Sequence, residues 1–260
     1  MCTACGTQFY KLNGIPNFLP KAPRFGCAAR ISEAYDEIYS HHSNVWEDQG
    51  RPREFIDFFS EVVAGLSTGR ILEVGCGEGI LLDALRSDFK VAIDISSRAL
   101  QKTQQRTHAQ CAVAIAERLP YASESFDVVV SVGVMEHFLD DNEATTEIRR
   151  VLRSGGYYVA LIHTTLNVPQ RLQQKVKEYL YPRVRLVALT KWILKKLYHP
   201  ISQPLQKHYT TLTGRACLER NGLVIEREIT SHDRPRPPLS GQHVVIYVSR
   251  KPNTSGNRAS

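Results

Sequence analysis

The sequence predicts an α/β fold built on a mostly parallel sheet with helices on both faces. Two observations carry this. Short apolar runs rich in Val and Ile alternate with amphipathic stretches of roughly 10–15 residues, the pattern of βαβ units. In the stretch "ILEVGCGEGILLDAL", Ile71 to Leu85, three glycines fall within five residues between an apolar run and a helical pattern. Such a turn lies at the carboxyl end of a parallel strand, where sheets of this kind bind ligands.

The elements follow in order. The first 25 residues read as loop, punctuated by Gly14, Pro16, Pro20 and Pro23. "SEAYDEIYSHHSNVW" reads as a short helix with Ser32 as its N-cap. "PREFIDFFSEVVAGL" is a stronger one, with Phe55, Phe58, Phe59, Val62 and Val63 at helical spacing and Gly65 as the stop. Strand "RILEV" then leads to helix "GILLDALRSD", strand "KVAIDI" to helix "SSRALQKTQQRTH", and strand "CAVAIA" to loop "RLPYASES". Strand "FDVVVSVGV" leads to helix "DNEATTEIRRVLRSGG", with Asp141 or Asn142 near its start and the glycines ending it. Strand "YYVALIH" is the fifth. Helix "TLTGRACLERNG" and strands "LVIEREI" and "HVVIYVSR" close the domain, the last two as an antiparallel pair, because the Pro-rich loop between them is too short for a crossover helix. The tail 251–260 is polar and reads as disordered.

Composition narrows the function classes. Hydrophobic residues at 42% and charged residues at 23% are ordinary for a globular protein. No apolar run approaches the roughly 18 residues of a membrane span, and the N-terminus has no signal pattern. The expectation is a cytoplasmic protein, in which six irregularly spaced cysteines do not form a disulfide framework. The net charge of +7 is concentrated. Residues 165–207 hold nine basic side chains and one acid, Glu178, for +8, and the rest of the chain sums to −1. Two apolar stripes run through this segment, which reads as a helical lid inserted between strands five and six. Its basic faces are either simply solvated or suit an acidic carrier protein or an anionic membrane surface. Nucleic acid is not expected, since no array of stacking aromatics accompanies the charge.

The glycine stretch excludes two ligand classes by spacing. A P-loop needs a Lys after its last glycine, and none follows. A dinucleotide fingerprint needs a glycine at position 80, which is Ile80. The spacing Glu-x-Gly-x-Gly-x-Gly, Glu73 through Gly79, resembles the first motif of the class I S-adenosylmethionine-dependent methyltransferases. The likeness continues in order with Asp94 closing "VAIDI", Ala116–Glu117 in "AERLPYASESFDVVVS", and "EIRRVLRSGGYYVALI". It is strong over Arg70 to His163 and weaker over the final strands.

The resemblance implies a Rossmann-like, seven-stranded, mostly parallel sheet with an antiparallel last strand. It implies S-adenosyl-L-methionine as cofactor, held by Glu73, Gly75, Cys76, Gly77, Gly79, Asp94, Ile95, Ala116, Glu117 and Ser131, with Asp94 on the ribose hydroxyls. Glu136, His137 and His163 stand where a catalytic group would, at the ends of strands four and five. His208 and Tyr209 are candidates for contact with the acceptor. The acceptor is expected to be a small molecule, methylated at oxygen or nitrogen. The Glu136–His163 pairing also resembles cyclopropane-type fatty-acid methyltransferases, in which such a pair helps bind a bicarbonate base, so carbon methylation stays open. So do a nucleotide-dependent oxidoreductase and a non-catalytic partner of another methyltransferase. The N-terminal 1–30 resembles half of a zinc ribbon. Cys2 and Cys5, with Cys27 as a third, fall short of the four ligands zinc takes, so no bound metal is expected. Residues 31–250 then form the methyltransferase domain.

Overall fold

A computed structural model describes residues 9–21, 25–42, 45, 53–66, 69–165, 204–230 and 244–253. The sheet has nine strands: β1 (Tyr10–Leu12), β2 (Ile15–Asn17), β3 (Arg70–Val74), β4 (Phe89–Asp94), β5 (Gln110–Val113), β6 (Phe126–Val132), β7 (Leu152–His163), β8 (Val224–Thr230) and β9 (Val244–Arg250). Their spatial order is β1-β2-β5-β4-β3-β6-β7-β9-β8. Strands β3 to β7 run parallel, and β9 is antiparallel to both β7 and β8, as the short loop before it predicts.

The strand alternation decides which helices cover which face. Ile71, Val128 and Val130 point into one apolar cluster, with Phe55, Phe59 and Val63 of α2 (Arg53–Ala64), Leu81 and Leu82 of α3 (Ile80–Ala84), and Leu100 of α4 (Ser97–Arg106). Leu72, Val129 and Tyr158 point into the other, with Ile148 and Val151 of α5 (Asp141–Val151) and Leu218 of α6 (Thr211–Arg220). Helices therefore lie on both faces, and the sheet order reverses between β3 and β6, where β3 pairs β4 on one side and β6 on the other.

Four expectations need correction. The N-terminal stretch is not loop throughout: β1 and β2 form an antiparallel hairpin that extends the sheet beyond seven strands, β2 joining β5 through Asn17 and Val113. The turn Asn13–Gly14, both at positive φ, makes this hairpin possible. The first helix, α1 (Ala28–His41), begins before Ser32. Ser32 is interior and donates its hydroxyl to the Ile95 carbonyl at 2.7 Å, a tertiary tie that outcompetes capping. Helix α5 is capped by Asp140, whose carboxylate accepts from the Asn142 and Glu143 amides. Gly155 and Gly156 do not end it. They form a bulge at the start of β7, where pairing with β6 jumps from Phe126↔Leu152 to Val128↔Tyr157. The lid, apart from its ends, and the tail beyond residue 253 lie outside the described residues, as do Cys2 and Cys5. No helix among the described residues is long and apolar enough to cross a membrane.

Candidate active site

A cavity opens at the carboxyl ends of β3, β4 and β6, at the point where the sheet order reverses. Its wall takes in the glycine turn 75–78, Asp94 and Ile95, Ala116 and Glu117, His137, and Tyr35 and Tyr39 from α1. Asp94 ends β4 and is buried. Its Oδ2 accepts the Gly77 amide at 2.9 Å and its Oδ1 the Ser96 amide at 2.8 Å. Each oxygen keeps a lone pair for another donor. Burial pushes this carboxyl up to about 6, against the pull of those two amides. Glu73, on β3, is buried with Oε2 lacking a partner among the described residues. Burial, and then the charge of Asp94, hold it well above the usual carboxylate range.

The three glycines are also required by the protein's own packing. All three lie at positive φ. A Cβ at Gly75 would fall 2.6 Å from Val134 Cγ2, at Gly77 2.8 Å from the Tyr39 hydroxyl, and at Gly79 2.7 Å from Thr103 Cγ2. The turn is pressed against the protein's own side chains, which sets its path; the Gly77 amide reaches Asp94, the Gly75 and Cys76 amides bond the Ile93 carbonyl, and Gly79, whose amide bonds the Cys76 carbonyl, lies off the cavity wall.

The other candidates separate into groups. Ile95, Cys76 and Ala116 line the cavity. Glu117 does too, but its Oε1 is engaged by the Leu139 and Asp140 amides at 2.6 and 3.2 Å, so it also braces the loop before α5. Burial raises its carboxyl in spite of these bonds. Ser131 is not on the cavity wall. It is fully buried, 2.8 Å from the Tyr158 hydroxyl, because the alternation along β6 turns it toward the sheet's other face.

His137 closes a short 3-10 turn, Met135–His137, and lines the cavity; its Nδ1 contacts the Leu205 carbonyl. Glu136, beside it, points away. Its Oε1 accepts both the His163 amide and His163 Nδ1, the latter at 3.0 Å. Burial alone would raise the Glu136 carboxyl, but the His163 bond and charge bring it below the usual value. The pair engages itself directly instead of framing a gap for a small anion, and neither residue lines the cavity. Tyr209 sits in the apolar core with its backbone paired to Thr164, and His208 is exposed; both lie off the cavity wall.

Sequence reasoning missed the contribution of α1. Ile31, Tyr35 and Tyr39 form a stripe at i, i+4 and i+8 over the cavity. Asp36 fastens the helix by accepting the Ser96 and Ser97 hydroxyls at 2.6 and 2.9 Å and the Arg98 amide at 3.0 Å. The stripe was legible in the spacing, but nothing local says which sheet end it covers.

Residues 72–160 match the model of a family described as a methyltransferase domain. Over these residues the chain has the methyltransferase domain that S-adenosylmethionine-dependent methyltransferases share. It is 31% identical over 142 residues to a ubiquinone biosynthesis O-methyltransferase of Alkalilimnicola ehrlichii, a match covering 48% of this chain and 56% of that one. It is 36% identical over 102 residues to a "probable phthiotriol/phenolphthiotriol dimycocerosates methyltransferase 2" of Mycobacterium ulcerans, covering 36% of this chain and 40% of that one. The chain thus spans about half the length of the curated relatives it matches. Among solved structures, it superposes with a TM-score of 0.59 at 18% identity on a Thermotoga maritima protein described as a "SAM-dependent methyltransferase, possible histamine N-methyltransferase", covering 85% of this chain and 99% of that one. That likeness shows the fold.

The methyltransferase domain's own residues fit the cofactor. Asp94 offers two carboxylate oxygens with spare lone pairs for a pair of ribose hydroxyls. Ile95, Ile115 and Leu139 give an apolar slot for a flat base, and the unpartnered oxygen of Glu73 suits a cationic end. The matched model begins at residue 72, so it gives no support to the zinc-ribbon likeness of residues 1–30.

Proposed function

We propose that the protein transfers a methyl group from S-adenosylmethionine to an oxygen or nitrogen of a small-molecule acceptor, of quinone, lipid or secondary-metabolite type. The observation that carries this is that His137 lines the same cavity as Asp94 and the glycine turn. Bound there, S-adenosylmethionine supplies a methyl group on a positively charged sulfur. Asp94 would orient the ribose, and the α1 tyrosines would cover the cofactor and keep water out. His137 would take the proton that a hydroxyl or amine gives up on methylation. Much of the rate would come from holding donor and acceptor aligned.

One curated relative is named for ubiquinone biosynthesis and another for phthiotriol/phenolphthiotriol dimycocerosates, which supports an acceptor with an apolar body and a polar handle. The basic, doubly striped segment 165–207 would meet that acceptor, or the anionic membrane or acidic carrier that presents it. The test is transfer of labelled methyl from S-adenosylmethionine to polyprenyl-substituted catechols, hydroxylated lipids and primary amines. Tight cofactor binding without label on any of these classes would overturn the proposal and favour a non-catalytic partner of another methyltransferase.

A further inference from the structure

Helix α1 hangs from one stretch of chain. Ser32 donates its hydroxyl to the Ile95 carbonyl at 2.7 Å. One turn further along, Asp36 Oδ1 accepts the Ser96 hydroxyl at 2.6 Å and the Arg98 amide at 3.0 Å, and its Oδ2 accepts the Ser97 hydroxyl at 2.9 Å. At the helix end, the His42 carbonyl accepts Lys102 Nζ at 2.6 Å. These partners all lie within residues 95–102, just after β4 and into α4. Across the cavity, α1 is met through its tyrosines. Tyr35 packs edge-on to the His137 ring with 6.4 Å between centroids. The Tyr39 hydroxyl lies 2.8 Å from where a Gly77 Cβ would stand. Polar bonds therefore pin the helix along one rim of the cavity, and its rings reach the other.

We propose that Asp36 is a positioning residue of the cofactor site: it latches α1 over the cavity and so sets how fast a bound S-adenosyl ligand leaves. Asp36 is the central pin and stands beside Tyr35, one turn before Tyr39. Its bonds are charge-assisted, the stronger kind. Ser96 links it to the ribose-binding acid, since the Ser96 hydroxyl goes to Asp36 and the Ser96 amide to Asp94 Oδ1 at 2.8 Å. Ser97 links it to the N-terminal hairpin, because Ser97 Oγ also accepts the Asn13 side-chain amide at 2.8 Å. Helix α1 precedes residues 72–160, so the cover and its pin come from chain outside the matched domain. Asp36 acts through the α1 tyrosines and not on the ligand. A carboxylate at the start of α4 would also serve simply as a helix cap, taking up the otherwise orphaned Arg98 amide. A cap alone would stabilise α4 and leave ligand release unchanged. The latch rests on the cofactor being held in this cavity, and not on methyl transfer.

The test is the release rate of S-adenosylhomocysteine from the full chain at neutral pH, by stopped-flow displacement. Asp36→Ala should release it at least about tenfold faster, the effect of losing charged hydrogen bonds that hold the cover, read mainly in dissociation. Asp36→Asn is the conservative rescue. Its Oδ1 still accepts from Ser96 and Arg98, and its amide can donate to the Ser97 hydroxyl, so release should stay within about threefold of wild type. Loss of charge works the other way: burial raises the Asp94 carboxyl first and the Asp36 charge adds to it, so removing that charge favours ionised Asp94 and the ligand. Hydrogen exchange gives a reading that a cap alone would not move. Ligand should slow exchange along α1 in wild type and Asp36→Asn, while in Asp36→Ala α1 should exchange fast with or without it. Ser97→Ala removes one of the three donors, and serves if Asp36→Ala fails to fold, with release about threefold faster than wild type. Release within about twofold of wild type in folded Asp36→Ala, or in Ser97→Ala where that variant stands in, would overturn the latch and leave Asp36 as a cap of α4. So would Asp36→Asn releasing as fast as Asp36→Ala. A wild type that binds no S-adenosylhomocysteine would remove the latch together with the cofactor reading of the cavity. Fast release in Asp36→Ala with no methyl transfer by wild type would overturn the proposed function alone and leave the latch standing.

Discussion

The Asp94 carboxylate accepts the Gly77 amide at 2.9 Å across 17 residues of chain, closing the end of β4 onto the turn that follows β3. This bond ties the two strand ends that frame the cavity, and it orients a charged acceptor toward it. Asp94→Ala should therefore weaken S-adenosylmethionine by about 1–3 kcal/mol, the range for removing a charged hydrogen-bond partner. Calorimetric titration measures it, with thermal unfolding as a check that the variant is folded. An unchanged dissociation constant in a folded variant would remove Asp94 from the cofactor site.

The same carboxyl makes binding depend on pH. Its value in the folded protein lies near 6, above its ordinary value, because burial disfavours the charge. A raised carboxyl means that the native state binds its proton more tightly than the unfolded chain. Its contribution to stability is then greatest at low pH and falls as pH rises from about 4 to 6. Ribose hydroxyls donate, so they select the ionised form, and binding releases a proton. Cofactor affinity should rise from pH 5 to about 6.5 and level off above it. In Asp94→Asn that pH slope should flatten. A wild-type affinity independent of pH over this range would show that Asp94 is already ionised or is not in contact.

Gly79→Ala isolates the role of the turn. The left-handed backbone costs about 1–2 kcal/mol for a residue with a Cβ, and the new atom would press on Thr103 Cγ2, 2.7 Å away. Chemical denaturation should show a loss at least that large. Adding Thr103→Ser removes the methyl and should recover the contact part only, leaving the backbone part. Full recovery would mean that the positive φ carries no cost here.

Much of this arrangement was legible in the sequence. The alternation of apolar runs and helices orders β3 to β7, and the loop before β9 is too short for anything but an antiparallel return. The acid at the end of β4 is placed by its position alone. What escaped was long-range. The hairpin of β1 and β2 has strands of three residues each, too short to show a period. Gly155 and Gly156 signal a break in regular structure equally well as helix stop or strand bulge, and only pairing with β6 decides. Ser131 and Glu136 both sit beside residues that line the cavity, and a rotation of one residue along a strand or turn sends a side chain to the other face.

The basic segment yields a prediction of its own. If Lys191, Lys195 and Lys196 meet an anionic surface, reversing all three to Glu should abolish binding to phosphatidylserine vesicles at low salt. Each basic residue near such a surface contributes up to about 1 kcal/mol. Added salt should weaken wild-type binding, since exposed charges are screened within about 8 Å at physiological ionic strength. Lys207 should contribute little, because Asp141 already pairs with it. A wild type that ignores these vesicles would leave the basic faces as merely solvated.

Ser131 separates a core role from a cofactor role. Its hydroxyl and that of Tyr158 lie 2.8 Å apart, both fully buried. Burial raises the Tyr158 phenol, so it stays neutral and available for this bond. Ser131→Ala strands the Tyr158 hydroxyl, which should lower stability by about 1–3 kcal/mol, the penalty for an unsatisfied buried group. Replacing both partners, Ser131→Ala with Tyr158→Phe, removes the stranded group and should bring back part of the loss. Cofactor affinity should stay within about twofold in both variants, since sites without shared partners act independently. The opposite pattern, a large drop in cofactor affinity with an unchanged melting temperature, would return Ser131 to the binding site and show that β6 presents it to the cavity.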